Sequence, residues 1–560
     1  MSTVRLSYPS RSDVLTTESG ATVALAPNLA RERVSFDGEV DDPLRFREAM
    51  SALHEVVVGD LRYKPRDKSA YVAFKAREQA ERQAVATRAY VAAHDQARRA
   101  PRAPRPDLKD DFRRAHRLYW RARNDWSSEL RRNDPELFRH LVPCDPVISV
   151  APDTVFFEAF SKDESSYGCL YVDRGAFRTS SSVALGTTNV DYSQSLYDHL
   201  QTLRSYRSTR ISLDPKGFDV EVAGRDGHRE EKIELPSSWL RGFGQISAAT
   251  MLGQVSFTLP TEVVYALLAF LRRRREKTGP RSIRVRLVPG KPPELVLDPW
   301  GTVLTSRGPR YEGPRPEEIK LWGRRRLLAF ARTLPLAERF EVTLLGSGMP
   351  SLWVAHLAGM RFVLALSGWT SNDWTGSLSL DMLAGDLRPD LKVMHSLTTE
   401  LVRDRSATLN ELAARTGAAR DALLGSLVEL ARHGQVVFDP DSKRFRYRSV
   451  LATPITLSSD DEASAELAGS RALLREGAVS LDREELLDGG RVLLVGTVAK
   501  VACEVLLDPD GRMLKARCGC SYHHQFGLRK GPCRHLFALR VSFDERARRP
   551  SASSASPLIH

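Results

Sequence analysis

The pattern Cys518-Gly519-Cys520, followed after a basic loop by Cys533-Arg534-His535, constrains this chain more than any other stretch. Three sulfurs and an imidazole are the donors a tetrahedral Zn²⁺ prefers, and they fill its four positions. A C-x-C pair suits a strand end or tight turn, where alternate side chains point the same way. A C-x-H pair suits residues just entering a helix, and Pro532 fits there because its missing amide hydrogen has no helical partner to lose. Leu536, Phe537, Leu539 and Val541 then continue with helical apolar spacing. Cys518, Cys520, Cys533 and His535 are therefore the candidate metal ligands, for one structural ion. His523 and His524 in the loop compete as ligands. Cys503 reads as a small buried hydrophobe, and Cys144 and Cys169 have no metal-like spacing. An iron–sulfur cluster would want four thiolates, so zinc is preferred.

The remaining composition sets broad bounds. Six cysteines, three of them in this cluster, argue against a disulfide framework and for a reducing, cytoplasmic setting. No apolar run approaches the ~20 residues of a membrane helix, so no membrane partner is expected. At 560 residues the chain is long enough for several domains. A net charge of +13 suits a polyanionic partner, but 70 acidic residues dilute it.

From the start, low-signal sequence leads to two polar helices, Pro65 to Arg99 and Leu108 to Arg132, separated by P-R-A-P-R-P and read as a helical hairpin. Phe112, His116, Tyr119 and Trp120 have the spacing of a packed helical face, which is preferred to a nucleic-acid surface. Beyond Pro143, strand-like runs such as Asp153 to Phe160 mix with helical ones such as Leu235 to Leu252, Thr261 to Lys277 and Trp322 to Leu334. There is no regular β-α-β beat, so this region reads as α+β. Its acidic stretches, Ser161 to Tyr167 and Ser371 to Trp374, lack a nucleophile–base–orienter pattern and read as turns. Gly346 to Pro350 lacks the lysine of a phosphate loop. The chain is accordingly read as non-enzymatic. The clusters Arg272 to Arg275 and Arg324 to Arg326 read as solvated helix faces.

Met394 to Arg403, Thr408 to Gly417 and Asp421 to His433 read as three helices, the second with a capping box of Thr408 and Glu411. The segments Gln435 to Phe438 and Arg444 to Tyr447 flank D-P-D-S-K as a hairpin. This order resembles a winged-helix domain, in which the second helix of the turn unit would enter a DNA groove. Arg420 at the start of that helix, and Lys443, Arg444, Arg446 and Arg448 on the wing, are its candidate nucleic-acid contacts. The fold serves DNA binding and protein docking alike.

After a polar connector, strands Val492 to Val498, Ala502 to Leu507 and Met513 to Arg517 lead into the cysteine cluster. Strand, strand, C-x-C, loop, C-x-H, helix resembles the SWIM zinc finger. Together with F-E-A-F-S-K-D-E-S-S-Y, W-G-R-R-R-L and S-G-W-T-S-N-D-W, the chain is similar over most of its length to long bacterial SWIM-finger proteins. That resemblance implies Cys518, Cys520, Cys533 and His535 as zinc ligands, and a place in an assembly with MoxR-type AAA+ ATPase and von Willebrand A proteins. Arg529, Lys530 and Arg534, with Arg517 and Arg540, would form the finger's basic rim for DNA or other nucleic acid.

The expected organisation is α+β multidomain. A helical region spans 1–142 and an α+β middle domain 143–390. A winged helix at 391–450 and a linker at 451–488 lead to a small ββα finger at 489–545 and a disordered tail at 546–560. The expected function is a zinc-binding, non-catalytic adaptor that grips nucleic acid through winged helix and finger. The alternative is a protein-interaction scaffold that binds none.

Overall fold

The computed structural model describes residues 6–7, 12–16, 20–25, 34–59, 145–179, 183–213 apart from 191 and 193, 231–232, 237–252, 255–274, 281–368, 372–375, 389–450, 465–488, 491–507 and 513–548, with isolated positions at 114, 118, 121, 378, 380 and 383. The chain divides into two compact units, Met1–Gly59 with Cys144–His560, and Asp60–Pro143. In the second unit, Arg114, Leu118 and Arg121 are helical and exposed. The rest of the helical hairpin, Cys144 and the serine-rich tail beyond residue 548 lie outside the described residues.

The first unit is built on an eight-stranded sheet, ordered Val255–Pro260, Arg339–Leu344, Ser351–Leu357, Met360–Leu366, Ser166–Asp173, Thr154–Phe160, Val147–Val150 and Gly186–Asn189. All its ladders are antiparallel. Thr154–Phe160 and Ser351–Leu357 are buried at every position, which explains why their sequences run apolar without alternation. On one face lies the helix Pro43–Val57, started by Asp42, whose carboxylate accepts from Arg45 N at 2.9 Å. Gly168 lets it approach: a Cβ there would stand 3.2 Å from both Leu53 and Val56. On the other face, Phe160 meets Trp239 and Phe243 of the helix Ser237–Met251, with ring centroids 5.2 Å apart in each case.

The helix Pro43–Val57 agrees with the expected helical region, but strands precede it. Strands Asp13–Thr16, Gly20–Leu25 and Phe36–Val40 form a five-stranded sheet with Ser208–Leu213 and Phe177–Thr179. Ser208–Leu213 pairs parallel with Gly20–Leu25 and antiparallel with Phe36–Val40. Partners so far apart leave no local turn signal. Arg324 to Arg326 also differ from expectation. The residues form a 3₁₀ helix, Arg324–Ala331, in which Arg324 and Arg326 are buried and only Arg325 is exposed. Arg324 donates to the Ser282 carbonyl at 3.2 Å and Arg326 to Ser367 Oγ at 3.3 Å. Arg272 and Arg273 are exposed, as a solvated helix end requires.

In the segment 391–450, helix Leu391–Asp404 precedes a short strand, Ser406–Thr408. Helices Leu409–Thr416 and Arg420–Arg432 and the hairpin Val436–Asp439/Arg444–Tyr447 follow. The three strands pair with Arg444–Tyr447 in the middle. The capping box is present: Thr408 N donates to Glu411 at 2.8 Å, and Glu411 N to Thr408 Oγ1 at 3.2 Å. The whole segment belongs to the first unit. Helix Arg420–Arg432 is buried continuously from Leu423 to Val428 because one side faces its own bundle and the other faces Ser237–Met251. The approach is close enough that a Cβ on Gly244 would lie 2.1 Å from Arg432 Cγ.

The deepest tie between this segment and the large sheet is ionic. Glu158 stands in the middle of F-F-E-A-F with its side chain fully buried, and Arg448 Nη1 donates to its two oxygens at 2.8 and 2.7 Å. Tyr167 Oη donates to the same carboxylate at 2.6 Å, and the Arg448 guanidinium lies 3.9 Å from the Phe243 ring centroid. Arg446, 2% exposed, bridges Asp153 at 2.8 Å and Asp439 at 3.0 Å. Burial pushes the Asp439 carboxyl up, but Arg446 and Arg361 outweigh it and hold the group below its ordinary 3.8. The stability this pairing contributes is present above pH 3.8 and is lost as pH falls below it.

Removing one member of a buried pair strands the other charge, at a cost of about 3–5 kcal/mol. Arg448→Ala is therefore expected to lower the denaturant midpoint by that order. The double variant Glu158→Gln/Arg448→Met should recover a large part of the loss. Equal stability of Arg448→Ala and wild type in urea unfolding would refute this role.

Candidate metal centre

The finger sheet is a four-stranded meander, Val479–Leu487, Arg491–Val498, Val501–Leu507 and Met513–Cys518. Two of its parts come from the stretch read as a linker: the outer strand Val479–Leu487 and the helix Ala465–Arg475, which packs on the helix Arg534–Arg548. The strand was missed because an edge strand exposed on both faces shows no apolar alternation; Asp482 to Glu485 are all exposed. One sheet face is covered by the last helix. Leu494, Val498, Val505 and Leu507 are buried with Leu536 and Leu539, and a Cβ on Gly496 would lie 2.6 Å from Leu539.

Local structure delivers each ligand. The last strand ends at Cys518, and Gly519 turns the chain to Cys520. Cys520 begins the short helix Ser521–Phe526, its sulfur accepting from His523 N at 3.3 Å. Cys533 precedes the helix Arg534–Arg548, whose first turn is closed by Phe537 N donating to the Cys533 carbonyl at 3.0 Å. One ligand atom from each of Cys518, Cys520, Cys533 and His535 lies within 4.8 Å of the other three. Donors around a tetrahedral ion with bonds of ~2.3 Å would stand about 3.8 Å apart, which that bound accommodates. His535 Nδ1 is buried with no hydrogen-bond partner. The residues fit one metal ion.

Cys503 is buried, as expected of a small hydrophobe, but it also touches the site. It stands opposite Cys518 in the ladder, and its thiol donates to Cys518 Sγ at 3.7 Å. Hydrogen bonds from the Cys503 and Cys533 thiols hold Cys518 far below the ordinary thiol range. The same bonds, with burial, push Cys503 and Cys533 up. Burial pushes Cys520 up. Neither His523 nor His524 is among the four mutually close donors.

The expected basic rim is largely turned inward. Arg529 wraps the end of the short helix, donating to the Phe526 carbonyl at 2.8 Å and the Gln525 carbonyl at 2.6 Å. Its own carbonyl accepts from Asn372 Nδ2 at 3.0 Å, and a Cβ on Gly348 would meet its side chain at 2.6 Å. Asn372 and the Gly346–Pro350 loop therefore serve as the dock for the finger. Arg534 pairs with Glu466 at 2.9 Å, Arg540 is buried, and Lys530 lies 4.4 Å from the Phe526 ring centroid. Arg517 is exposed.

The wing contacts fare similarly. Arg446 and Arg448 are buried in ion pairs and cannot meet phosphate, correcting the expectation of a basic wing; Arg444 pairs with Glu411 at 3.0 Å. Arg420 and Lys443 are exposed. Of the acidic stretch Ser161 to Tyr167, residues 161–165 form a turn in which Asp163 accepts from the hydroxyls of Ser161 and Ser165, each at 2.6 Å, and Ser166 and Tyr167 begin a strand.

No family model matches the chain, and no curated protein matches it. Among solved structures, similarity is found to the proliferating cellular nuclear antigen of Entamoeba histolytica, at 14% identity over 41% of this chain and 94% of that one, with a TM-score of 0.27. The corresponding protein of Thermococcus kodakaraensis gives 13% identity, 40% and 89% coverage and a TM-score of 0.27. Scores this low assign neither fold nor function.

Cys533→Ser should release the bound ion and increase proteolysis between residues 517 and 535, leaving the large sheet intact. Cys503→Ala should keep one metal equivalent in the finger and weaken its affinity there by about tenfold, the usual effect of removing a group that orients a ligand. Metal analysis with chelator competition checks both. Retention of a full thiolate-bound equivalent by Cys533→Ser, read as thiolate-to-Co²⁺ charge transfer, would rule out the four-ligand assignment.

Proposed function

We propose that this protein is a non-catalytic scaffold for protein partners, with a SWIM-type finger closed by one structural zinc ion. Three thiolates and an imidazole match zinc's preference. With all four positions protein-filled, no site remains for an activated water.

The observation that carries the scaffold reading is the burial of the winged-helix-like segment's DNA-reading parts. Its candidate recognition helix, Arg420–Arg432, is enclosed between its own bundle and Ser237–Met251, and the wing arginines Arg446 and Arg448 are spent on Asp153, Asp439 and Glu158. Groove insertion would require breaking a buried ion pair. In this reading the winged helix is a packing module, and the expected nucleic-acid grip is reduced to exposed Arg420, Lys443 and Arg517.

The finger's outer face supplies a surface for a partner. Opposite the terminal helix, Leu487, Leu493, Leu506 and Leu528 line an open groove of about 620 Å³, edged by Lys515 and Arg517. The partner class implied by the SWIM-family resemblance is an ATPase-linked assembly of MoxR-type and von Willebrand A proteins.

Co-purification of the full chain with such an ATPase, lost in Leu506→Asp while the metal content stays at one equivalent in the finger, is the expected result. Salt-dependent duplex binding that falls in Arg420→Ala/Lys443→Ala would overturn the reading in favour of a nucleic-acid adaptor.

A further inference from the structure

A second constellation of metal-ligand residues lies outside the finger. Glu341 and His356 come from adjacent strands of the large sheet, Arg339–Leu344 and Ser351–Leu357, whose register pairs Arg339 with His356. Glu341, two residues along, projects from the same face as Arg339, so its carboxylate reaches His356 diagonally. Asp441 comes from the turn between Val436–Asp439 and Arg444–Tyr447. That turn is held from below: Asp441 N and Ser442 N donate to Asp439 Oδ1 at 3.2 and 3.3 Å, while Asp439 is fixed by Arg446. Ligand atoms of Glu341, His356 and Asp441 all lie within 4.8 Å of one another.

His356 is the unusual member. It is 7% exposed, and its Nε2 is buried without a hydrogen-bond partner. Yet Nε2 stands 3.2 Å from Glu341 Oε1 and 3.5 Å from Asp441 Oδ1. A buried ring nitrogen between two carboxylate oxygens, with hydrogen-bond geometry to neither, is arranged around a point rather than toward a single acceptor.

We propose that Glu341, His356 and Asp441 form a second site, for a borderline divalent transition-metal ion such as Zn²⁺ or Co²⁺, which clips the 439–444 turn to the large sheet. One nitrogen and two carboxylate oxygens are donors that such ions accept. Asp441 is already oriented for this: Arg361 Nε sits 3.0 Å from its Oδ2, leaving Oδ1 for the ion. Arg339 must move. Its Nη2 lies 3.3 Å from His356 Nδ1 and 3.3 Å from Glu341 Oε1. Coordination through Nε2 places the imidazole hydrogen on Nδ1, so a guanidinium donor there becomes a clash of donors. Arg339 is 47% exposed and free to swing toward solvent. Glu341, 42% exposed, gives the ion its entry, and the outward positions are left for water.

The test uses the full chain, stripped by chelator, dialysed against Zn²⁺ and analysed for bound metal. Wild type is expected to hold two equivalents, Cys533→Ser one, and Asp441→Asn and His356→Gln one each. Co²⁺ added after one zinc equivalent should give d–d bands without thiolate charge transfer, and these should be absent in Asp441→Asn. One equivalent in wild type, or a second equivalent that persists in Asp441→Asn, overturns the proposal. Asp441 lies on a partly exposed turn, so its variant decides the matter even if His356→Gln does not fold.

Discussion

Glu158 is a carboxylate in the middle of a strand with no access to water, and everything around it is arranged to make that tolerable. An unpaired charge there would be neutralised or expelled. The positive partner, Arg448, arrives from a hairpin almost three hundred positions later in the chain, as their sequence separation of 290 records. It is sandwiched against the Phe243 ring while Tyr167 donates to the same acid. Segment 391–450 therefore cannot be lifted from the large sheet without stranding two charges, and the arrangement of the first unit follows from that. Such pairs add little net stability over an apolar alternative, but they are demanding of geometry.

The finger illustrates a different balance. Its ligands are delivered by a strand end, a glycine turn and a helix start, all short-range features. The apolar core behind them, Leu494, Val498, Val505 and Leu507 against Leu536 and Leu539, is flanked by a strand and a helix from residues 465–487, so an ion would share with that core the task of holding the domain. Cys503 extends the site by one residue beyond the ligands, because antiparallel pairing sets it opposite Cys518 and its thiol points at that sulfur. The loop between the ligand pairs, which by sequence looked like a basic contact surface, is bent onto the Gly346–Pro350 loop and Asn372. A guanidinium that caps its own helix and packs on a glycine is no longer available to a phosphate.

The two proposed ion sites differ in kind. The finger joins residues close in sequence and is closed. The Glu341–His356–Asp441 site joins two sheet strands to a distant turn and keeps an open side. Both sit where a segment remote in sequence meets the large sheet or its docking loops, which is where a cross-link contributes most to a chain of this length.

The cluster of four candidate metal ligands was legible in the sequence, because donor type and spacing follow from an ion's chemistry and from strand and helix periodicity. So were the capping box at Thr408 and Glu411, the continuous apolar strands, and the turn at residues 161–165. Each depends on interactions within a few residues. What the tertiary structure alone decided is where the charges went. Arg446 and Arg448 carry the same side chain as exposed Arg420, and sequence offers no means to tell a cation destined for phosphate from one destined for Glu158. The sheet pairing of residues 13–40 with 208–213, the edge strand at 479–487 and the meeting of Glu341, His356 and Asp441 were hidden for the same reason. Long-range pairing is set by which distant surfaces bury each other, and that is a property of the folded whole.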